Sequence, residues 1–315
     1  MDYVCTQTID CGQGAIRAVR YNVDGNYCLT CGSDKKIKLW NPNKGLYLNT
    51  YAGHGNEVLD VASSCDNSQI VSCGIDKTVI LWDVIKAQPL RRLRGHAGKV
   101  TSIAFNEEST AVVSSSEDNR VMCWDIKSRQ NTPIQVLKDA NDCVMKVKVT
   151  ANEILTGSLD CRIRRYDIRM GELIEDYIGE YDKKLCFIDP VTCVTFTSDE
   201  QCVLASCTDE TIKLFDKKTG ELLGEYSGHK TNDYYIECCI DKTDSFIFSG
   251  SIDGSIWCWD LVKMNSVNQL IHNKKAIVHS LSSNPIKKGI LSASGSNIKV
   301  WMSSSLLEDT ELSEI

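Results

Sequence analysis

Gly53-His54, then Val58-Leu59-Asp60-Val61-Ala62, Ile70-Val71-Ser72-Cys73-Gly74 and Asp76-Lys77-Thr78-Val79-Ile80-Leu81-Trp82-Asp83 form the stretch that decides the fold. Each apolar run is short, rich in Val, Ile and aromatics, and bounded by polar or glycine-containing breaks, which reads as strand, turn, strand, turn, strand. Pro89-Leu-Arg-Arg-Leu-Arg94 supplies a fourth strand before the next Gly95-His96. The pattern recurs along the chain. Trp40, Trp82, Trp124, Tyr166, Phe215, Trp259 and Trp301 are spaced by 42, 42, 42, 49, 44 and 42 residues. The first six each stand six residues after an aspartate. A period of 40 to 45 residues marks a radial array of four-stranded blades, because one such sheet cannot bury both faces alone.

The repeats resemble the WD-repeat family over about residues 4 to 302. The resemblance implies an all-β, seven-bladed propeller of four-stranded antiparallel blades. The last unit lacks a strand after Trp301, and Val4-Cys-Thr-Gln-Thr-Ile9 is expected to supply it, closing the ring and removing an exposed edge. One domain, 1–302, and a short acidic, mobile tail, 303–315, are therefore expected. In the family a His, a Ser or Thr, an Asp and a Trp hydrogen-bond in series within a blade. Three units carry the set: His54, Ser72, Asp76 and Trp82; His96, Ser114, Asp118 and Trp124; His229, Ser249, Asp253 and Trp259. The first has Thr30, Asp34 and Trp40 without a His, and the fourth Thr156, Asp160 and Tyr166 without one. In the fifth, Ser206 is one residue too close to Asp209, and the seventh keeps Trp301 alone. Blades five and seven are expected to be the least rigid.

A formal charge of −7 without a long basic stripe argues against a dedicated nucleic-acid binder. Arg162, Arg164, Arg165 and Arg169 read as solvated residues. No apolar run approaches 18 residues, and the N-terminus has neither the basic start nor the apolar core of a secretion signal. Many of the sixteen cysteines occupy small-residue repeat positions, as buried hydrophobes suited to a reducing cytosol or nucleus. Three of the five histidines belong to Gly-His sites, and His272 and His279 have no recognisable acid–nucleophile arrangement. Phosphate-cradling and dinucleotide motifs are absent, so no enzyme, metal or cofactor is expected. An acid–base pocket at the ring mouth would favour an enzyme; an apolar channel would count against one.

Asp10-Cys-Gly-Gln-Gly14, Asn22-Val-Asp-Gly-Asn-Tyr-Cys-Leu-Thr-Cys-Gly32, Gly53-His-Gly-Asn-Glu-Val-Leu-Asp60 and Thr219-Gly-Glu-Leu-Leu-Gly-Glu-Tyr226 narrow the resemblance to a mitogen-activated protein kinase organizer branch of the family. It implies a non-catalytic scaffold, monomeric within larger complexes in cytoplasm and nucleus, whose partners are kinase-cascade components and splicing factors. Residues just before each turn Asp should share one face: Ser33, Ile75, Glu117, Leu159, Thr208 and Ile252. Ile75, Leu159 and Ile252 would be exposed aliphatics at the ring mouth. Of Tyr234 and Tyr235, one should point into the sheet and one should be free for a partner. An insertion at 179–190 carries Leu185, Phe187 and Ile188, either a partner contact or residues folded back on the blade. Leu155–Asp160 with Tyr166-Asp-Ile-Arg169 resembles a docking box for the cullin-4 ligase adaptor, with Arg169 decisive. Ser313-Glu-Ile315 matches a PDZ ligand, and Thr132-Pro133 is a minimal proline-directed phosphorylation site.

Overall fold

The computed structural model describes residues 3–168, 173–176, 189–232, 234–274 and 276–304. Among the described residues, twenty-eight strands form seven four-stranded antiparallel sheets. The second sheet is typical: β6 (Val58–Ser63), β7 (Gln69–Gly74), β8 (Thr78–Asp83) and β9 (Gln88–Arg94), from channel to rim. The other innermost strands are β2 (Ile16–Tyr21), β10 (Val100–Phe105), β14 (Val144–Val149), β18 (Val191–Phe196), β22 (Cys238–Ile240) and β26 (Val278–Ser283). The N-terminal strand β1 (Tyr3–Asp10) pairs with β28 (Asn297–Ser303), from Tyr3 opposite Ser303 to Asp10 opposite Asn297. The expected closure is therefore present.

The core lies between blades. Ile37 and Tyr51 of the first blade pack with Val61, Ile70, Ile80 and Trp82 of the second. Ile16 and Val19 pack with Leu291, Ile298 and Val300 of the last. Two neighbouring sheets thus bury one apolar layer, as a stacked repeat requires. Six inner strands share a bulge after their first Val or Ile, as between Val58 and Asp60. A bulge leaves one residue unpaired and re-aims its neighbours, here at the channel.

The hydrogen-bonded series forms in blades two and three. Trp82 Nε1–H donates to Ser72 Oγ at 2.8 Å, Ser72 lies 2.7 Å from His54 Nε2, and His54 Nδ1 lies 2.9 Å from Asp76. In blade three, Trp124 Nε1 to Ser114 is 2.9 Å, Ser114 to His96 is 2.8 Å, and His96 to Asp118 is 3.0 Å. Burial alone would raise the Asp76 carboxyl, yet His54 and Thr78 hydrogen bonds hold it well below the usual carboxylate range.

Blade six corrects the sequence reading. His229 is buried, but neither ring nitrogen has a partner among the described residues, Ser249 Oγ donates to Gly250 O, and Trp259 Nε1–H donates to Ser227 O at 3.1 Å. The His229 ring instead stands edge-on to Trp259, with centroids 5.5 Å apart. The right residue types at the right spacing do not make the series when the indole turns to a backbone carbonyl. Blade seven is corrected in the other direction. His272 Nδ1 is 2.7 Å from Ser292 Oγ, which accepts from Trp301 Nε1 at 2.8 Å. It lacks only the aspartate, so its expected looseness loses its basis. Ser292 lies nine residues before Trp301 rather than ten, which hid it from the template.

In blade one, Gln13 replaces the histidine: Trp40 Nε1 donates to Thr30 Oγ1 at 2.9 Å, Thr30 to the Gln13 carbonyl, and Gln13 Nε2 to Asp34 at 3.2 Å. In blade four, Arg164 grips Asp160 at 3.1 and 2.7 Å. Arg164 and Arg165 are buried, against the expectation that they are solvated; Arg162 is exposed. In blade five, Ser206 faces Cys193 where Cys73 faces Asp60, so it sits one place off the series.

These differences separate two histidines. His54→Leu strands Ser72 and Asp76 and should cost about 2 kcal/mol or more. His229→Leu breaks no hydrogen bond and should change stability by less than about 1.5 kcal/mol, as a size-conserving swap. Urea unfolding of both variants checks this; equal losses would mean that His229 is hydrogen-bonded after all.

Candidate functional site

The Asp-turn face is ordered by one repeated backbone bond. Ser33 N donates to Ala15 O, Ile75 N to Glu57 O, Glu117 N to Lys99 O, Leu159 N to Cys143 O, Thr208 N to Pro190 O and Ile252 N to Lys230 O, all at 2.9–3.1 Å. Five of these turns are thereby tied to the residue just before their inner strand, around one mouth of the channel. Ile75, Leu159 and Ile252 are half-buried, not exposed, with their backbones held against the segments that enter the inner strands. Glu117 is exposed and bonds Lys99 at 2.8 Å.

Tyr234 and Tyr235 are both about half exposed, at 52% and 51%. The sequence reading placed one of them inside the sheet. Strand β22 begins only at Cys238, and Tyr234 N–H closes a turn onto Thr231 O, so the alternation of a strand does not apply. The Tyr234 ring packs edge-on to His279 of blade seven at 6.4 Å. Tyr235 lies within electrostatic range of Cys143, Glu117, Asp142 and Lys99 in blades three and four; burial chiefly pushes its hydroxyl pKa up. The two tyrosines thus reach toward opposite sides of the mouth. Leu185, Phe187, Ile188 and Arg169, like the Ser313–Ile315 tail, lie outside the described residues.

Deeper in the channel stands a cluster that the sequence reading missed. Arg20 donates to Asp60 at 2.9 Å and, through both Nη atoms, to Glu237 at 2.8 and 2.5 Å. Lys146 Nζ lies 2.9 Å from Asp60 and 2.7 Å from Glu237. Ser102 and Ser280 donate to the same two carboxylates at 2.8 and 2.6 Å. Six blades therefore contribute one group each. The remaining one, blade five, contributes Cys193, whose thiol donates to Cys238 O at 3.6 Å and whose pKa is drawn down, chiefly by its side-chain hydrogen bond with Cys238.

The signal was present in the repeat. Asp60, Ser102, Lys146, Cys193 and Ser280 each follow the first residue of the inner strand by two, and the shared bulge places them in one layer. The channel is thus neither the apolar lining that would count against catalysis nor a poised acid–base pair. Burial would raise both carboxyls, but Arg20 and Lys146 hold Asp60 and Glu237 below the usual range. Both cations are raised, against the effect of burial, by the carboxylates. All four stay charged near neutrality, so the arrangement ties blades together rather than moving protons.

A family model described as "WD domain, G-beta repeat" matches residues 3–41, 45–83, 87–125, 183–216 and 220–260. The chain is similar to WD repeat domain-containing protein 83 of Rattus norvegicus, 59% identical over 295 residues, covering 94% of this chain and 90% of that protein. The Homo sapiens protein of the same name is 57% identical with the same coverage. A Dictyostelium discoideum homolog is 34% identical over 328 residues, covering 94% and 97%. The segments without a family match hold most of blades four and seven, where Arg164 stands in for the histidine and the turn aspartate is missing. With seven four-stranded sheets, the Trp-closed hydrogen-bonded series and these matches, the chain belongs to the WD-repeat family.

Proposed function

We propose that this chain is a non-catalytic scaffold that holds protein partners on its Asp-turn face, organises components of a mitogen-activated kinase cascade and associates with spliceosomal complexes, in cytoplasm and nucleus. The observation that carries the partner face is the exposed pair Tyr234 and Tyr235 over the channel mouth, beside the Lys99–Glu117 pair. Tyrosine supplies large contact area at low entropic cost and is enriched among the residues that dominate interfaces. The kinase and splicing roles rest on the sequence resemblance to mitogen-activated protein kinase organizer 1. A ring of blades tied through its channel adds a physical reason, since it holds separate partners at fixed distances.

The test is affinity purification of the tagged full-length chain from separate cytosolic and nuclear extracts, with Tyr234→Ala/Tyr235→Ala alongside. Wild type should recover kinase-cascade components from cytosol and splicing factors from nuclei. The double variant should lose affinity for at least one partner by roughly 30-fold or more, as for a lost interface anchor of about 2 kcal/mol. Undiminished recovery of every partner would move the site off this face. Recovery of a cullin-4 ligase adaptor, abolished by Arg169→Glu, would favour a ligase substrate receptor.

A further inference from the structure

The other end of the channel holds two adjoining cavities of about 420 and 450 Å³. They are lined by the far ends of the inner strands, Phe196, Val149 and Asn22 among them, and so open opposite the Asp-turn mouth. Arg20, Lys146 and Lys148 line both, and Lys242 lines the first. Arg20 and Lys146 are matched by Asp60 and Glu237 in a set of net charge zero. Lys148 is different. It is half-buried and makes no ion pair or hydrogen bond with any described residue. Lys242 stands exposed at the rim, also without an ion-pair partner among the described residues.

A half-buried ammonium beside two other cations is costly unless an anion joins it. Its pKa is accordingly held down, by burial first and by Lys146 and Arg20 next. Hydroxyls complete the wall. Thr195, Ser198, Ser282 and Ser283 line the first cavity, and Ser282 Oγ accepts from Tyr21 N at 3.1 Å, which leaves its own proton free to donate. The described carboxylates deepest in the wall are already neutralised, while Glu107, exposed at the rim of the second cavity, is the remaining acid of the lining.

We infer that this end of the channel is a binding site for a small multivalent phosphate-bearing anion, with Lys148 as its inner anchor, Lys242 at the rim and the serine and threonine hydroxyls as donors. Two separated cations match an anion with more than one charged group better than a single carboxylate. The cavity volume falls in the range of about 300–1,000 Å³ usual for small-molecule sites. With the whole chain at −7, an anion would be drawn here by the local field and not by net charge.

Isothermal titration of the full-length chain with sodium tripolyphosphate, and separately with inorganic phosphate, tests the site. Tripolyphosphate should bind, more tightly than phosphate and more weakly as salt rises. Lys148→Met should weaken it roughly 10- to 100-fold, the loss of one hydrogen bond between charged groups. Lys148→Arg should retain binding, and Lys77→Met on the Asp-turn face should leave it unchanged. A second measurement needs no variant: acylation of Lys148 in the wild-type chain, read by mass spectrometry, should be suppressed several-fold by saturating tripolyphosphate, with Lys77 unaffected. No binding by wild type, Lys148→Met binding within twofold of wild type, or Lys148 labelling indifferent to tripolyphosphate would each overturn the inference.

Discussion

Asp60→Ala is expected to remove about 3–5 kcal/mol of folding stability, the cost of leaving buried charges without one of their partners. The Asp60 side chain is 2% exposed and accepts from Arg20, Lys146 and Ser102. Its loss leaves two cations sharing Glu237 alone in the channel wall. The double variant Asp60→Ala/Lys146→Met leaves the two-pronged Arg20–Glu237 pair intact and neutral. It should therefore be more stable than Asp60→Ala alone, although it carries one substitution more. Urea unfolding at pH 7 of wild type, both singles and the double gives the coupling energy directly. A loss below 1 kcal/mol for Asp60→Ala, or simple additivity in the double, would show that the cluster is solvated and energetically idle. The pH dependence has a definite sign. Asp60 and Glu237 have folded pKa values below their unfolded ones. Their stabilisation is fully present above about pH 4.5 and is lost as pH falls through the folded values. The gap between wild type and Asp60→Ala should thus persist unchanged from pH 7 to pH 5.

Mild acid should weaken the fold through different groups. Burial pushes the His229 pKa down to about 4, and burial with the nearby Lys299 pushes His272 down to about 3, both from 6.5. In the folded chain both rings are neutral across mild acid, while in the unfolded chain each takes a proton as pH drops below 6.5. The unfolded state then binds more protons, so stability falls with pH throughout this window. Each unit below 6.5 costs up to about 1.4 kcal/mol per ring, or roughly 4 kcal/mol for the pair at pH 5. The loss from His229 levels off near pH 4 and that from His272 near pH 3. Melting curves at pH 7.5, 6 and 5 should show the drop, and His229→Leu should show about half of it. Parallel pH profiles for wild type and His229→Leu would mean that the His229 ring reaches water in the folded chain.

How the sequence conceals and reveals this molecule follows from the reach of each interaction. The aromatic-closed strand recurs every 42 residues or so because each blade packs on the next, and local alternation with turn chemistry is enough to place it. Ring closure by β1 was legible for the same reason, since a blade one strand short needs an edge partner. The hydrogen-bonded series was legible only where spacing and residue type both held. Gln13 does the work of a histidine with a side-chain amide, His272 hides behind a shortened hairpin, and His229 has the correct neighbours in sequence but loses them to a turned indole. The channel cluster escaped because its members stand in different repeats; Arg20 and Glu237 are 217 positions apart. Only the stacked inner strands bring them together, and a residue read within its own blade looks like an isolated charge on a strand. Tyr234 and Tyr235 were misjudged because strand alternation was extended into a loop that a turn had already ended.

The pairing of Tyr3 with Ser303 sets an order of events during synthesis. Strand β1 leaves the ribosome long before its partner, since β28 is made almost 290 residues later. Until then β1 and the inner strand of the first blade have no seventh blade to meet, and a growing arc carries a raw sheet edge at each end. Blades can form one by one as they emerge, but cooperative strength arrives only with β28. A nascent chain halted before Trp301 would be an open crescent with two adhesive ends, the form in which this protein is most exposed to mispairing with its own copies.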